Sequence, residues 1–308
     1  GYIKNIYSPK LTWNFKSKPN PATANRSFPL PQGRVLGGSS SINGLNYVRG
    51  QSADYDNWAQ MGIAGWSYAE VLPYFKRSER RIGPGDDNVR GRDGELPITN
   101  LDLIHPVCEA FIEGATQMGI PQNPDYNSGD QAGTGYFQRT IQKGYRYSAA
   151  KAFLGPIRKR PNVDIRTNAQ ATEILFTGSR ARGVRYHQGK QPTPAIDVHA
   201  RREVILCAGA LNTPKLMQLS GIGPAEILAN LGIKIRVELR GVGNNLRDHY
   251  GVRMVSNLKN IKTFNSVARG LPLGFEIAKW LLGRPSILSV SPSLTHLFWK
   301  SSEILETP

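Results

Sequence analysis

The chain has 308 residues, of which 39% are hydrophobic, enough to bury a substantial core as one large domain or two smaller ones, and this excludes a disordered chain. Its 39 Lys and Arg against 23 Asp and Glu give a formal charge of +16, but the basic residues fall in short groups such as Lys76-Arg77 and Arg158-Lys159-Arg160, outside any groove-reading or base-stacking motif, so no nucleic-acid partner is expected. No apolar run approaches the ~20 residues of a membrane span, and Cys108 and Cys207, far apart, suggest neither a disulfide framework nor a thiolate metal site. The expected setting is soluble and cytoplasmic, with peripheral membrane association left open. Cys207 is expected in the core.

Residues 1–32, rich in Asn, Pro and Ser, read as an extended arm leading into a glycine-rich segment. Ser67 with Glu70 three residues on forms a capping box, which predicts a helix over 67–78. The stretch IGPGDDNVRGRDGELP that follows reads as an exposed loop, in which Gly94 would accept a side chain. Pro106 at a first helical position, Val107, Phe111, Ala115 and Met118 at helical spacing, and Gly119 as terminator predict a second amphipathic helix. From Asn162 the period shortens, and NVDIRT, ATEILF, ARGVRY and IDVHA predict a small antiparallel meander. Val204 to Ala208 then reads as a core strand ending at Gly209. Asn212 or Thr213 would cap a helix from Pro214 to Gly221.

No H-E-x-x-H, G-x-S-x-G or Walker A pattern occurs; Gly189-Lys190 is followed by Gln191 where a Ser or Thr is needed. Asn25-Arg26-Ser27 is a glycosylation sequon by chance, and Gly241-Val242-Gly243 lacks the third glycine of a dinucleotide fingerprint. The informative segment is GRVLGGSSSINGLNYVRG, Gly33 to Gly50. Gly37-Gly38 removes two side chains beside three serines, so backbone N–H groups and hydroxyls can converge on an anion such as a pyrophosphate, with INGLNYV able to begin a helix aimed at the same point. A serine-capped glycine turn fits the same residues.

That segment resembles the first signature of the glucose-methanol-choline oxidoreductases, and GALNTPKLMQLSGIGP, Gly209 to Pro224, is similar to the second. SADYDNWAQMGIAGWSYAEVLPYFKRSE, GYRYSAAKAFLGPIRKRPNVDIRTNAQATEILF and GVGNNLRDH also resemble that family, most closely its bacterial choline dehydrogenase-like branch. The resemblance implies an α/β fold: a Rossmann-like FAD-binding domain with the meander over residues 1–249, and the start of an α+β substrate domain over 250–308. It implies FAD contacts at Val35, Gly38, Ser39, Asn43, Gly44, Leu45, Asn46, Ala171, Ala208 and Gly209. The implied reaction is oxidation of a primary alcohol, choline-like or aliphatic, to an aldehyde by hydride transfer to flavin, with an electron acceptor (quinone, oxygen or another) that the residues do not select. A lyase on the same scaffold and a flavin-binding fragment without turnover are the alternatives. By the family's pattern, the nucleotide-binding strand, turn and helix are expected before residue 1 and the catalytic His after residue 308, and a chain that starts at Gly1 and stops at Pro308 is expected to be truncated at both ends. His105, His187, His199, His249 and His296 do not match the catalytic motif, and His249 beside Asp248 reads as a structural pair.

Overall fold

The computed structural model describes residues 5–190, 192–249, 251–305 and 307–308. Gln191, Tyr250, at which the substrate domain was expected to start, and the first four residues of the arm lie outside the described residues. Helices and short strands alternate through the chain, as expected of the α/β class, and they fall into two compact units, residues 1–163 with 259–308, and residues 164–258. These units are defined by packing, whereas the expected division at 249/250 is by ligand.

In the first unit the arm is more than an extended lead. β1 (Phe15–Lys16) pairs antiparallel with β2 (Pro29–Leu30), and an Asn20-capped 3-10 turn, Pro21–Thr23, lies between them. After the glycine-rich segment come α1 (Ser52–Gln60) and α2 (Tyr68–Ser78). The capping box starts α2 as expected, the backbone N–H of Ser67 donating to Glu70 Oε2 at 3.0 Å. A strand β3 (Glu79–Ile82) follows directly and pairs in parallel with β4 (Leu96–Thr99).

The connection between β3 and β4 is exposed at residues 82–84 and 86–88, as expected, but turns inward at Arg90, Gly91 and Gly94. Its Arg90 is 1% exposed and Glu79, at the start of β3, is 0% exposed. A Cβ on Gly91 would fall 2.0 Å from the Lys76 carbonyl oxygen, and one on Gly94 2.3 Å from the Ser78 carbonyl carbon. Gly94 therefore has no room for a side chain. The loop folds inward because Arg90 must reach a buried carboxylate, and only glycine lets its backbone lie against the end of α2.

α3 (Pro106–Gln117) begins at Pro106 and is ended by Gly119 at φ +87°, but the face it buries is set by Ile112 and Ala115, while Phe111 and Met118 are exposed. β5 (Gly133–Tyr136) follows, then β6 (Ile141–Gln142) paired with β7 (Tyr145–Arg146), and a π-helical turn at Ala150–Leu154.

The second unit is built on the expected meander, in three strands rather than four: β8 (Ala169–Thr177), β9 (Arg180–Gln188) and β10 (Ala195–His199), antiparallel with β9 central. NVDIRT is not a strand. Gly183 on β9 passes so close to β10 that a Cβ would lie 2.2 Å from the Val198 carbonyl oxygen. α4 (Gly209–Leu219) starts at Gly209 itself, φ +83°, so Pro214 lies inside it; β11 (Ile222–Gly223), α5 (Ala225–Asn230) and β12 (Val237–Glu238) follow. Buried Ser220 joins helix to meander, accepting from the Ile174 N–H at 2.8 Å and donating to the Leu216 carbonyl at 2.6 Å.

The expected core strand at Val204–Ala208 is not formed. No strand pairs with it among the described residues, Ile205 is 72% exposed and Cys207 is exposed. An apolar run becomes a strand only when a neighbour accepts its N–H and C=O groups, so its composition alone did not decide its state.

Residues 259–308 complete the first unit. α6 (Phe264–Val267) and α7 (Gly270–Leu281) lead to β13 (Thr295–Phe298), which pairs antiparallel with β5 in a register that puts His296 opposite Gly135. The Trp280 indole on α7 donates to the Gly144 carbonyl at 2.9 Å.

Candidate functional site: the glycine-serine turn

Gly33 to Asn46 folds into a tight turn on the first unit. Gly37 and Gly38 both take positive φ (+85° and +55°), a conformation that disfavours any side chain, and open a single 3-10 turn, Gly38–Ser41. Gly33 is packed beneath it, since a Cβ there would fall 2.4 Å from the Gly38 carbonyl carbon. Outward, the position of a Gly38 Cβ has nothing within 4 Å. The expected helix from INGLNYV does not form, so no helix dipole acts here. Instead Leu45 is held at φ +71°, and Asn46 and Tyr47 pair with the chain at Gln138–Arg139. A left-handed Leu costs about 1–2 kcal/mol. The surroundings enforce it: the Leu45 carbonyl accepts from the Thr140 N–H at 2.9 Å and its N–H donates to Asn43 Oδ1 at 3.1 Å.

The serine hydroxyls are not aimed at an anion. Ser40 Oγ donates to the Gly37 carbonyl at 2.5 Å and Ser41 Oγ to the Leu36 carbonyl at 2.7 Å. Ser39 Oγ donates to Gln32 Oε1 at 3.2 Å and accepts from the Gly33 N–H at 3.1 Å. Each hydroxyl fixes the turn, and what the turn offers outward is backbone and amides. Asn46 Oδ1 is buried and has no hydrogen-bond partner, an uncommon and costly state for an acceptor. Asn43 is exposed, and Leu36 presents an apolar surface nearby in sequence. An open approach at Gly38, an unpaired buried acceptor and an exposed amide fit a flat, polar-edged cofactor such as a flavin dinucleotide.

Of the ten expected contact residues, Val35, Gly38, Ser39, Asn43, Gly44, Leu45 and Asn46 are brought together in this turn. Ala171, Ala208 and Gly209 belong to the second unit, Ala171 on β8 and Ala208 at the cap of α4, where Gly209 makes the sharp entry.

Beneath the segment lies a polar network that the sequence did not reveal. Glu79 accepts from Arg49 Nη2 at 2.6 Å and from Arg90 Nε at 2.7 Å, and Arg90 also pairs with Asp125. Arg49 Nε donates to the Tyr47 hydroxyl at 3.3 Å, the Asn127 side chain accepts from the Arg49 N–H at 2.8 Å, and Gln131 donates to the Arg49 carbonyl at 2.6 Å. Burial, with the Glu79 charge, pushes the Tyr47 phenol up to about 12, so it stays protonated. A cavity of about 10 Å³ among Arg49, Tyr126, Asn127 and Gln131 is about the size of one water.

The histidines have structural posts. His105 caps α3, its Nδ1 accepting from the Val107 N–H at 3.3 Å, and His187 bonds the Thr193 carbonyl at 2.7 Å. Asp248 Oδ1 accepts from the backbone N–H of His249 rather than from its ring, so the pair carries no dyad. His296 is 3% exposed among Tyr126, Phe137 and Phe298, and burial lowers its pKa to about 4. No group of three or more His, Cys, Asp and Glu able to hold a metal occurs among the described residues, and no helix there is long and apolar enough to cross a membrane.

The turn and the three-stranded meander belong to an α/β chain, and comparison with known proteins gives its class. The family model for GMC oxidoreductases matches residues 18–251. An oxygen-dependent choline dehydrogenase from Sinorhizobium fredii is 45% identical over 240 residues, 78% of this chain and 43% of that protein. Among solved structures, an FAD-dependent oxidoreductase from Chaetomium thermophilum is similar over 95% of this chain and 54% of its own, with a TM-score of 0.85 and 28% identity. Pyridoxine 4-oxidase from Mesorbium loti is similar over 77% of this chain and 47% of its own, with a TM-score of 0.69 and 31% identity. The chain belongs to the GMC oxidoreductase family. It spans less than half the length of the curated relatives it matches.

Proposed function

We propose that the chain holds FAD against the Gly33–Asn46 turn and that the whole protein oxidises a primary alcohol, choline or a simple aliphatic alcohol, to the aldehyde. The observation that carries the reading is the pairing of an open backbone at Gly38 with the buried, unpartnered Oδ1 of Asn46. A side chain at Gly38 would occupy the approach, and an acceptor left unpaired in the protein is answered by a donor on a ligand. Val35 supplies apolar surface, Asn43 a side-chain amide, and Gly38, Ser39, Gly44 and the buried Leu45 backbone. Ala171, Ala208 and Gly209 are proposed to contact the same cofactor. FAD held there would supply the acceptor for the hydride released from the alcohol carbon. The residues of this chain bind and orient it, and the proton acceptor is assigned to none of the five histidines, which do not match the family's catalytic motif. The family relatives named as oxygen-dependent choline dehydrogenases favour choline as substrate and dioxygen as acceptor. The full-length protein, purified after expression with riboflavin, is expected to show flavin absorption. Protein without flavin that also fails to take up added FAD would refute the reading.

A further inference from the structure

The turn is gripped from one side by a second stretch of chain, Arg146 to Leu154. Arg146 Nη1 donates to the Ser40 carbonyl at 3.1 Å and to Asn43 Oδ1 at 2.8 Å. The Ala149 N–H donates to Ser40 Oγ at 2.8 Å, and the Ala150 nitrogen would lie 3.0 Å from a Cβ on Gly37. The stretch then enters the π-helical turn, a geometry that departs from regular hydrogen bonding and is frequent at functional sites.

The clamp decides how Asn43 is presented. Its Oδ1 accepts from both Arg146 and the Leu45 N–H, so the oxygen end of the amide is fixed against the protein. The oxygen takes both of these hydrogen bonds, leaving the Nδ2 end on an exposed side chain. The same arginine sets a permanent positive charge behind the turn, because a guanidinium does not deprotonate in proteins. Its field favours any bound group that gains negative charge, which a flavin does on reduction.

Resting on the reading that this turn holds FAD, we propose that Arg146 is a positioning residue for the flavin: it fixes the Asn43 amide as a donor toward the cofactor and sets a charge that eases the flavin's reduction. Arg146 thereby governs both affinity and redox potential. Lysine would keep the charge and lose the fork; glutamine would keep one donor and lose the charge.

The test uses the full-length protein, wild type and Arg146→Ala, Arg146→Lys and Arg146→Gln. FAD affinity is read by fluorescence titration of the apoprotein, the flavin midpoint potential by dye equilibration, and folding by the apoprotein's melting temperature. Arg146→Ala is expected to weaken FAD binding at least tenfold and to lower the potential. Arg146→Lys should hold the potential near wild type with intermediate affinity, and Arg146→Gln should lower the potential while retaining most of the affinity. If Arg146→Ala does not fold, Arg146→Gln decides: a folded, flavin-loaded variant with unchanged potential overturns the proposal. Variants that lose only melting temperature, leaving the affinity and potential of the loaded flavin untouched, would make Arg146 merely structural and likewise overturn it. A wild type that binds no FAD would instead overturn the functional reading and, with it, this proposal.

Discussion

Replacing Glu79 by Gln tests the network beneath the cofactor segment. The carboxylate is wholly buried and answers two guanidinium groups, Arg49 at 2.6 Å and Arg90 at 2.7 Å, whose side chains are also buried. Its loss leaves buried Arg49 with no carboxylate partner among the described residues and Arg90 facing only Asp125, and breaking such a pair costs about 3–5 kcal/mol. An exposed pair such as Arg240 with Glu238 contributes at most about 1 kcal/mol, so Glu238→Gln serves as the control. At roughly 2–4 °C per kcal/mol, Glu79→Gln should melt about 6–20 °C below wild type. The assay is guanidinium unfolding followed by tryptophan fluorescence, where the midpoint should fall with little change in slope. Flavin retention should drop as well, because Arg49 anchors Tyr47, the residue after Asn46. A stability loss below about 1 kcal/mol would show that the network is solvated in solution and that the packing argument is wrong.

Gly94→Ala should destabilise the protein by several degrees or prevent folding, since its Cβ meets backbone at 2.3 Å; a wild-type melting temperature would contradict this. Gly38→Val should leave the apoprotein folded, with a loss of about 1–2 kcal/mol from its positive φ, and should abolish flavin retention; a variant that binds FAD like wild type would remove Gly38 from the site. His296 is held near 4 in the fold against about 6.5 in the unfolded chain, so its neutral form contributes stability that is present above pH 6.5 and lost as pH falls toward 4, of order 3 kcal/mol in full. The gap between the denaturation midpoints of wild type and His296→Phe should change across that window, wild type losing stability that the variant keeps as pH falls, and parallel curves would show that His296 does not titrate this way.

The elements legible in the sequence are those whose determinants are local. Ser67 with Glu70, Pro106 with Gly119, and the alternating runs at 169–188 each carry their own start, stop or period, and the structure forms them. The turn at Gly37-Gly38 was legible for the same reason. Most of what failed depended on distant partners. Val204 to Ala208 has strand composition, but pairing decides whether it is a strand. Arg90 was placed in an exposed loop, yet it and Glu79 are buried, because Asp125, 35 positions from Arg90, and Arg49, 30 positions from Glu79, answer their charges. The three serines were assigned to a ligand when their hydroxyls are spent on carbonyls within five residues or on Gln32, and Arg146, more than 100 positions from Asn43, left no local mark.

The account's central claim is that the turn from Gly33 to Asn46 serves a flavin that accepts hydride from an alcohol. The direct measurement is anaerobic spectroscopy of the full-length protein with choline and with a simple primary alcohol such as ethanol. Bleaching of the bound flavin band on adding one of them, restored by admitting air, is the predicted result. A protein that carries flavin but stays oxidised with every alcohol tried would contradict it.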